Sequence, residues 1–346
     1  MTQPDQLATD LSQVANAILA LLDARSKDVV TRRFGLKQAQ PETLESIGRG
    51  YGITRERVRQ IESNAKKALA ALSDIHQPAH ALLADVFADH GGIMSQEHCI
   101  DAVCRHTKQD VPANLIVFFL TILPGFAQVN AKDVFGPHWR LEKSVTNHAT
   151  DIVTAAQEIL TTIHHPVPTK QLFEDLRSHL KTEHHLTDNV IEAMLRASMK
   201  VEQTVFDEWG LIIWPETHPR GVGDKAYAVL RRHAKPAHFR EITTLINGAG
   251  FDHKKANPQT VHNELIKDKR FVLVGRGLYG LKEWGYMSGT VTDVLEAILK
   301  DAEKPLTSDE LIGRVLKQRI VKKNTILLSL QNNKRFQKTT AGYTLA

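Results

Sequence analysis

The side chains with the most pointed chemistry lie within one short stretch, residues 55–63. At 100° per residue, Arg55, Glu56, Arg59, Gln60 and Ser63 fall on one side of a helix, while Val58, Ile61 and Ala65 fall on the other, with Leu69 at the edge. A guanidinium can grip guanine O6 and N7 together, a glutamine amide can do the same at adenine, and a carboxylate can accept from cytosine N4. Long hydrogen-bonding groups on one face and a small apolar stripe on the other suit a helix laid in the major groove. On pattern alone, the competing reading is a solvated charged face in an ordinary bundle.

Such side chains need a helix held at an angle, and the preceding residues provide one. Leu44, Ile47 and Tyr51 recur at i, i+3 and i+7, which predicts a first amphipathic helix. Gly52 permits a sharp turn, Ile53 fills the angle between the helices, and the Thr54 hydroxyl is placed to cap the second helix. The expectation is a helix-turn-helix whose second helix presents its readers near its start.

The stretch RSKDVVTRRFGLKQAQPETLESIGRGYGITRERVRQIESNAKKAL (26–69) closely resembles region 4 of bacterial primary sigma factors: RFGL at 33–36, TLESIG at 43–48 and the unbroken TRERVRQIE at 54–62. The resemblance implies a domain that reads the −35 promoter element of double-stranded DNA and docks on the β flap of RNA polymerase core. It assigns base contacts to Arg55, Glu56, Arg59 and Gln60, and backbone contacts to Arg33, Thr43, Leu44, Thr54 and Arg57. It covers under a fifth of the chain. No segment resembles the sigma region that captures the −10 strand, so a complete sigma factor is not expected.

Charge is distributed in three blocks. Residues 1–75 hold 11 basic and 9 acidic side chains, 76–215 hold 10 and 17, and 216–346 hold 23 and 13. Basic ends suit polyanions, and the acidic middle suits protein contacts. No run approaches the roughly 18 apolar residues that span a bilayer, and no basic leader precedes an apolar run, so a cytoplasmic protein is expected, nucleoid-associated through its DNA binding. Cys99 and Cys104 read as small buried thiols, not a disulfide.

Beyond a Gln/Pro/His run at 76–80, taken as a boundary, a pattern repeats about every 65–70 residues. Helices are followed by closing strands at 135–143, 206–216, 274–284 and 339–346, and the last three repeats open a second helix at PVPTKQLFEDL (166–176), KPAHFREITTLI (235–246) and KPLTSDELIGRVL (304–316). Three helices and a two-stranded ribbon make a winged helix. The expected fold is mainly α with small β wings: a helix-turn-helix domain at 1–75, with a further helix over 7–22, then about four winged-helix units at 78–145, 147–216, 217–285 and 286–346. In the third, residues 226–284 resemble the HARE-type helix-turn-helix found in the RNA polymerase δ subunit, restriction systems and chromatin proteins. FREI, P-x-T-V-x-x-E-L-x-x-D-x-R-F and G-R-G-x-Y-x-L carry that likeness, which implies the fold more firmly than a DNA or a protein partner.

Other candidate chemistry is weaker. The run from Gly275 through Gly277 to Gly280 is literally G-x-G-x-x-G, but a dinucleotide loop needs a helix at its last glycine, whereas here a strand is expected to continue through Trp284. A wing turn is the better reading, with Arg276 at its tip as a groove or phosphate contact. The pairs His164-His165 and His184-His185 lack cysteine or carboxylate partners at ligand spacing, so no metal is expected. Trp139, Trp209, Trp214 and Trp284, all placed in closing strands, are taken to anchor the wings rather than stack on bases. Neither a catalytic arrangement nor a cofactor loop is evident, and the sequence does not indicate an oligomeric state.

Overall fold

The computed structural model describes residues 10–37, 40–145, 148–180, 186–302 and 304–346. The chain divides into two compact units, Met1–Glu202 and Gln203–Ala346, and is mainly helical with small antiparallel sheets.

The first unit opens with four helices: α1 (Leu11–Ala20), α2 (Ala24–Phe34), α3 (Leu44–Tyr51) and α4 (Arg55–Ala70). Each starts on a short oxygen-bearing side chain, Asp10, Asp23, Thr43 and Thr54 respectively, which accepts from an amide of the first turn. Of the helix expected over 7–22, Leu7 lies outside the described residues, and beyond Ala20 the chain turns, leaving Leu21 58% exposed.

The Gln/Pro/His run at 76–80 does not form a turn. It lies inside α5 (Ser73–Asp89), where Pro78, in the second turn, forfeits one hydrogen bond and crowds the preceding turn. Ala79, Leu83 and Val86 at i, i+4 and i+7 are buried and hold the helix through the proline.

From α5 onward one order of elements recurs. First come β1 (Ile93–Met94), α6 (Gln96–Thr107), α7 (Ala113–Ile122), β2 (Phe126–Val129) and β3 (His138–Leu141), the strands being ordered β1-β3-β2. Then follow α8 (Ala149–Ile163), β4 (Val167–Pro168), α9 (Thr169–Leu180), α10 (Asp188–Ala197), β5 (Val201–Gln203) and β6 (Glu208–Leu211). In the second unit α11 (Val222–His233), β7 (Ala237–His238), α12 (Phe239–Ala249), α13 (Pro258–Lys267), β8 (Phe271–Gly275) and β9 (Leu278–Leu281) repeat the order, again with strands β7-β9-β8. Last come α14 (Val291–Ala302), α15 (Ser308–Gln318), α16 (Lys323–Gln331) and the hairpin β10 (Phe336–Thr339) and β11 (Gly342–Leu345), with Leu306 bridging to Tyr343 where the other repeats have a short first strand.

The closing strands are shorter than their sequences suggest: β3 covers only His138–Leu141 of 135–143, and β11 only Gly342–Leu345 of 339–346. β9 stops at Leu281 and gives way to a 3-10 turn over Lys282–Trp284, while β6 stops at Leu211, so Trp214 and Trp284 lie beyond their strands. Trp139 in β3 and Trp209 in β6 are buried at 4% and 0% exposure.

The first unit is knit together through α7, whose sequence ANLIVFFLTI is apolar on nearly every side. Leu115, Ile116, Phe118, Phe119, Leu120 and Ile122 are all buried. Phe118 meets Phe34 of α2 edge to face at 5.3 Å between centroids, and the Asn114 amide donates to the Gly35 carbonyl at 3.4 Å. The helical hairpin of α3 and α4 is thereby mounted on the first repeat.

Candidate nucleic-acid interface

The α3–α4 pair closes over a small core of Val29, Ile47 and Val58, with Leu44, Ile53 and Ile61 packed against it. Gly52 ends α3 in the left-handed region at φ 65°, which costs a glycine nothing. Gly48 lets the turn fold back: the Ile53 amide donates to the Gly48 carbonyl at 3.0 Å, and a Cβ on Gly48 would lie 2.7 Å from the Ile53 carbonyl oxygen. The Thr54 hydroxyl accepts from the Arg57 amide at 3.2 Å and fixes where α4 begins.

α4 sorts its residues by side. Val58, Glu62, Ala65 and Leu69 are buried, while Arg55, Glu56, Arg57, Arg59 and Gln60 are exposed. The four residues expected to read bases therefore share one open face over the first two turns. Three of them are already engaged with one another or with a neighbour. Arg59 Nη2 donates to Glu56 Oε1 at 2.6 Å and its Nε to Oε2 at 2.9 Å, and Arg57 Nη1 donates to Gln60 Oε1 at 3.1 Å. Hydrogen bonding from Arg59 holds the Glu56 carboxyl below its usual range. Among the described residues the Arg55 guanidinium makes no hydrogen bond or ion pair.

The residues expected at the DNA backbone separate into two groups. Thr43 and Thr54 are caps at the starts of α3 and α4, and Leu44 is packed against the core. Arg33 turns inward instead: its Nε lies 3.1 Å from Glu62 Oε2, and its Nη1 donates to the Glu42 carbonyl. Glu62 also faces Lys66 Nζ at 2.6 Å, with its side chain only 10% exposed. Burial pushes the Glu62 carboxyl up, but Lys66 and Arg33 outweigh it and hold the group below its ordinary 4.5. The motif TRERVRQIE does not by itself reveal this clasp, in which Glu62 is the central acid. Its sequence signal is the i, i+4 pair Glu62–Lys66 placed on the buried side.

Elsewhere, Arg276 is exposed in the two-residue turn of the β8–β9 hairpin, and Gly277 beside it has φ 70°. The glycine run is thus a hairpin turn, with a strand and not a helix after Gly277. Among the described residues no group of three or more His, Cys, Asp or Glu is arranged to hold a metal ion; His184 and His185 lie outside the described residues. Burial pushes the Cys99 thiol up to about 12, and both cysteines are free. Among the described residues no helix is long and apolar enough to cross a membrane.

A helix-turn-helix with an exposed, polar first half of its second helix defines a DNA-binding class, and comparison with known proteins gives the families. Residues 18–71 match sigma-70, region 4, and residues 222–284 match HARE-HTH, the helix-turn-helix domain named for ASXL and restriction endonuclease proteins. The chain is 47% identical over 60 residues to the RNA polymerase sigma factor RpoS of Coxiella burnetii, covering 17% of each chain. It is 39% identical over 69 residues to the RNA polymerase sigma factor SigA1 of Synechococcus elongatus, which covers 20% of this chain and 17% of that protein. The chain therefore carries a sigma-70 region 4 module and a HARE-type module, both of helix-turn-helix type and neither an enzyme family, and it spans 17% of the length of these sigma factors.

Proposed function

We propose that this chain is a bacterial transcription regulator that reads −35-like promoter DNA with its sigma-70 region 4 module and associates with RNA polymerase, without acting as a complete sigma factor. The observation that carries the reading is the open face of α4: Arg55, Glu56, Arg59 and Gln60 stand exposed on one side, while Val58, Glu62 and Ala65 close the other. In the major groove these four supply the base contacts. Thr43, Thr54 and Arg57 hold the backbone beside them, and Leu44 sets the approach of α3. Arg33 acts by bracing the module through Glu62. The β flap of the polymerase is the proposed protein partner, and the nucleoid the proposed location.

On this reading the four recurring segments at 78–145, 147–216, 217–285 and 286–346 are winged-helix units, with Arg276 at the wing tip of the third. A second reading, an RNA polymerase accessory protein whose modules make protein contacts, is favoured by one observation. The third helices of the first two repeats, α7 and α10, are largely buried. Footprinting on promoter fragments with and without polymerase tests the first reading. Protection centred on −35 elements by the chain alone is expected, whereas protection only in the presence of polymerase supports the second.

A further inference from the structure

The same helix has opposite fates in different repeats. In the first repeat α7 is buried on nearly every side. In the second, Ile191, Ala193, Met194, Leu195 and Ala197 of α10 are buried, and the chain just after α10 is stitched to the first repeat by Met199 N to Val134 O at 2.8 Å. On α10 only Asp188, Asn189 and Arg196 are exposed. In the last repeat α16 buries only Ile326 and Leu330, leaving Lys323, Asn324, Thr325, Leu328 and Gln331 exposed.

Charge is segregated in that repeat as well. Residues 311–346 contain eight Lys or Arg and no Asp or Glu; the module's carboxylates all lie earlier, on α14, in the connection after it and at the start of α15. This acid-free stretch comprises the rest of α15, the turn into α16, α16 itself and the β10–β11 hairpin. Arg335 is spent on Asp293 and Glu296, at 3.4 and 2.9 Å. Arg314, Lys317, Lys322, Lys323, Lys334 and Lys338 are exposed and form no ion pair among the described residues. Lys322 and Lys323 sit at the start of α16, whose first-turn amides receive no side-chain cap. In the same turn Arg319 is 5% exposed, and its Nε and Nη2 have no hydrogen-bond partner among the described residues.

The turn is also fixed to its neighbour. Ile320 N donates to Val274 O of β8 at 2.7 Å, and the Met287 amide donates to Gln318 Oε1 at 3.0 Å. A Cβ on Gly275 would lie 2.7 Å from the Ile320 carbonyl, so a glycine is needed for that approach.

We infer that residues 286–346 form a second duplex-DNA contact, in which the head of α16 with Lys322 and Lys323, flanked by Lys317, Lys334 and Lys338, holds the phosphate backbone without reading sequence. Unpaired cations on the tail of α15, the exposed head of α16 and the following hairpin, in a stretch of sequence without a carboxylate, match a polyanion of regular shape. The inference does not depend on how the sigma-like module is used.

The test uses the full chain and a scrambled duplex of about 30 base pairs, with fluorescence anisotropy over a salt series. Lys322→Ala/Lys323→Ala should bind about tenfold more weakly, and the slope of log affinity against log salt should become shallower by about 2, nearly one for each phosphate that is no longer neutralised. Lys322→Arg/Lys323→Arg should bind like the parent chain. So should Lys300→Ala, a control at an exposed site on α14. Preference for a −35-like duplex over the scrambled one should survive the alanine pair, whereas loss of that preference in Arg55→Ala/Arg59→Ala concerns the sigma-like module alone. Unchanged affinity and slope in the alanine pair would overturn the inference, as would an equal loss in Lys300→Ala. An RNA hairpin that outcompetes the duplex would overturn the assignment to DNA.

Discussion

Arg59 grips Glu56 through two of its nitrogens, Nη2 to Oε1 at 2.6 Å and Nε to Oε2 at 2.9 Å, one turn apart on the open face of α4. The pair is solvent-facing, so its contribution to stability is small. Its effect is on geometry: the carboxylate fixes the position of the guanidinium on the open face.

For base reading, Arg59→Ala should cost about 1–3 kcal/mol on a cognate site and relax preference at one position. Affinity for sites with single substitutions at each base pair measures this. Equal losses on cognate and scrambled duplexes would reduce Arg59 to a phosphate contact.

The Glu62 clasp sets an acid limit on the module. Its carboxyl is lowered in the folded chain, so its contribution is present above the unfolded value of about 4.3 and is lost as pH falls through the folded value. Glu62→Gln should destabilise the module by about 1–3 kcal/mol at neutral pH, because the half-buried Arg33 loses its partner. As pH falls through the lowered folded value the variant and parent should converge. Chemical denaturation at neutral pH and along an acid series carried below the folded carboxyl's value measures both, and a gap that stays the same size to the end of the series would remove Glu62 as the cause.

Gly48→Ala places a methyl 2.7 Å from the Ile53 carbonyl, between backbones that cannot move independently. Despite the better helix propensity of alanine, the substitution should destabilise the hairpin by about 1–3 kcal/mol and weaken DNA binding with it. Circular dichroism melts check the first effect. A variant as stable as its parent would mean that the α3–α4 angle has room to open.

The chain should not start transcription with core polymerase alone. Opening a promoter requires that flipped bases be held unstacked, at a few kcal/mol per step unless aromatic surfaces compensate. The sigma match ends at residue 71, and among the repeats Trp139 and Trp209 are buried. Start-site-defined transcripts from core enzyme and this chain, with no sigma factor added, would contradict this.

Local chemistry was largely legible. Thr54 as a cap, Gly52 as a turn and the two sides of α4 follow from period and propensity over a few residues, and the structure has all three. What misled was information of longer range. The run at 76–80 looked like a break because proline and histidine favour turns, yet Ala79, Leu83 and Val86 carry the helix straight through it. The pairing of Arg33 with Glu62 was not legible, because Glu62 lies 29 positions away, on the side of α4 that packing alone reveals as buried. Nothing local says that Phe118 of α7 meets Phe34 of the N-terminal helices.

In vitro selection from a random duplex pool by the full chain, repeated with Arg59→Ala and with Gln60→Ala, bears most directly on the central claim. Selection should enrich a −35-like element, and each substitution should relax a different single position of it while the rest persists. Enrichment of no motif, or of a motif that both substitutions leave intact, would mean that the open face of α4 does not read DNA.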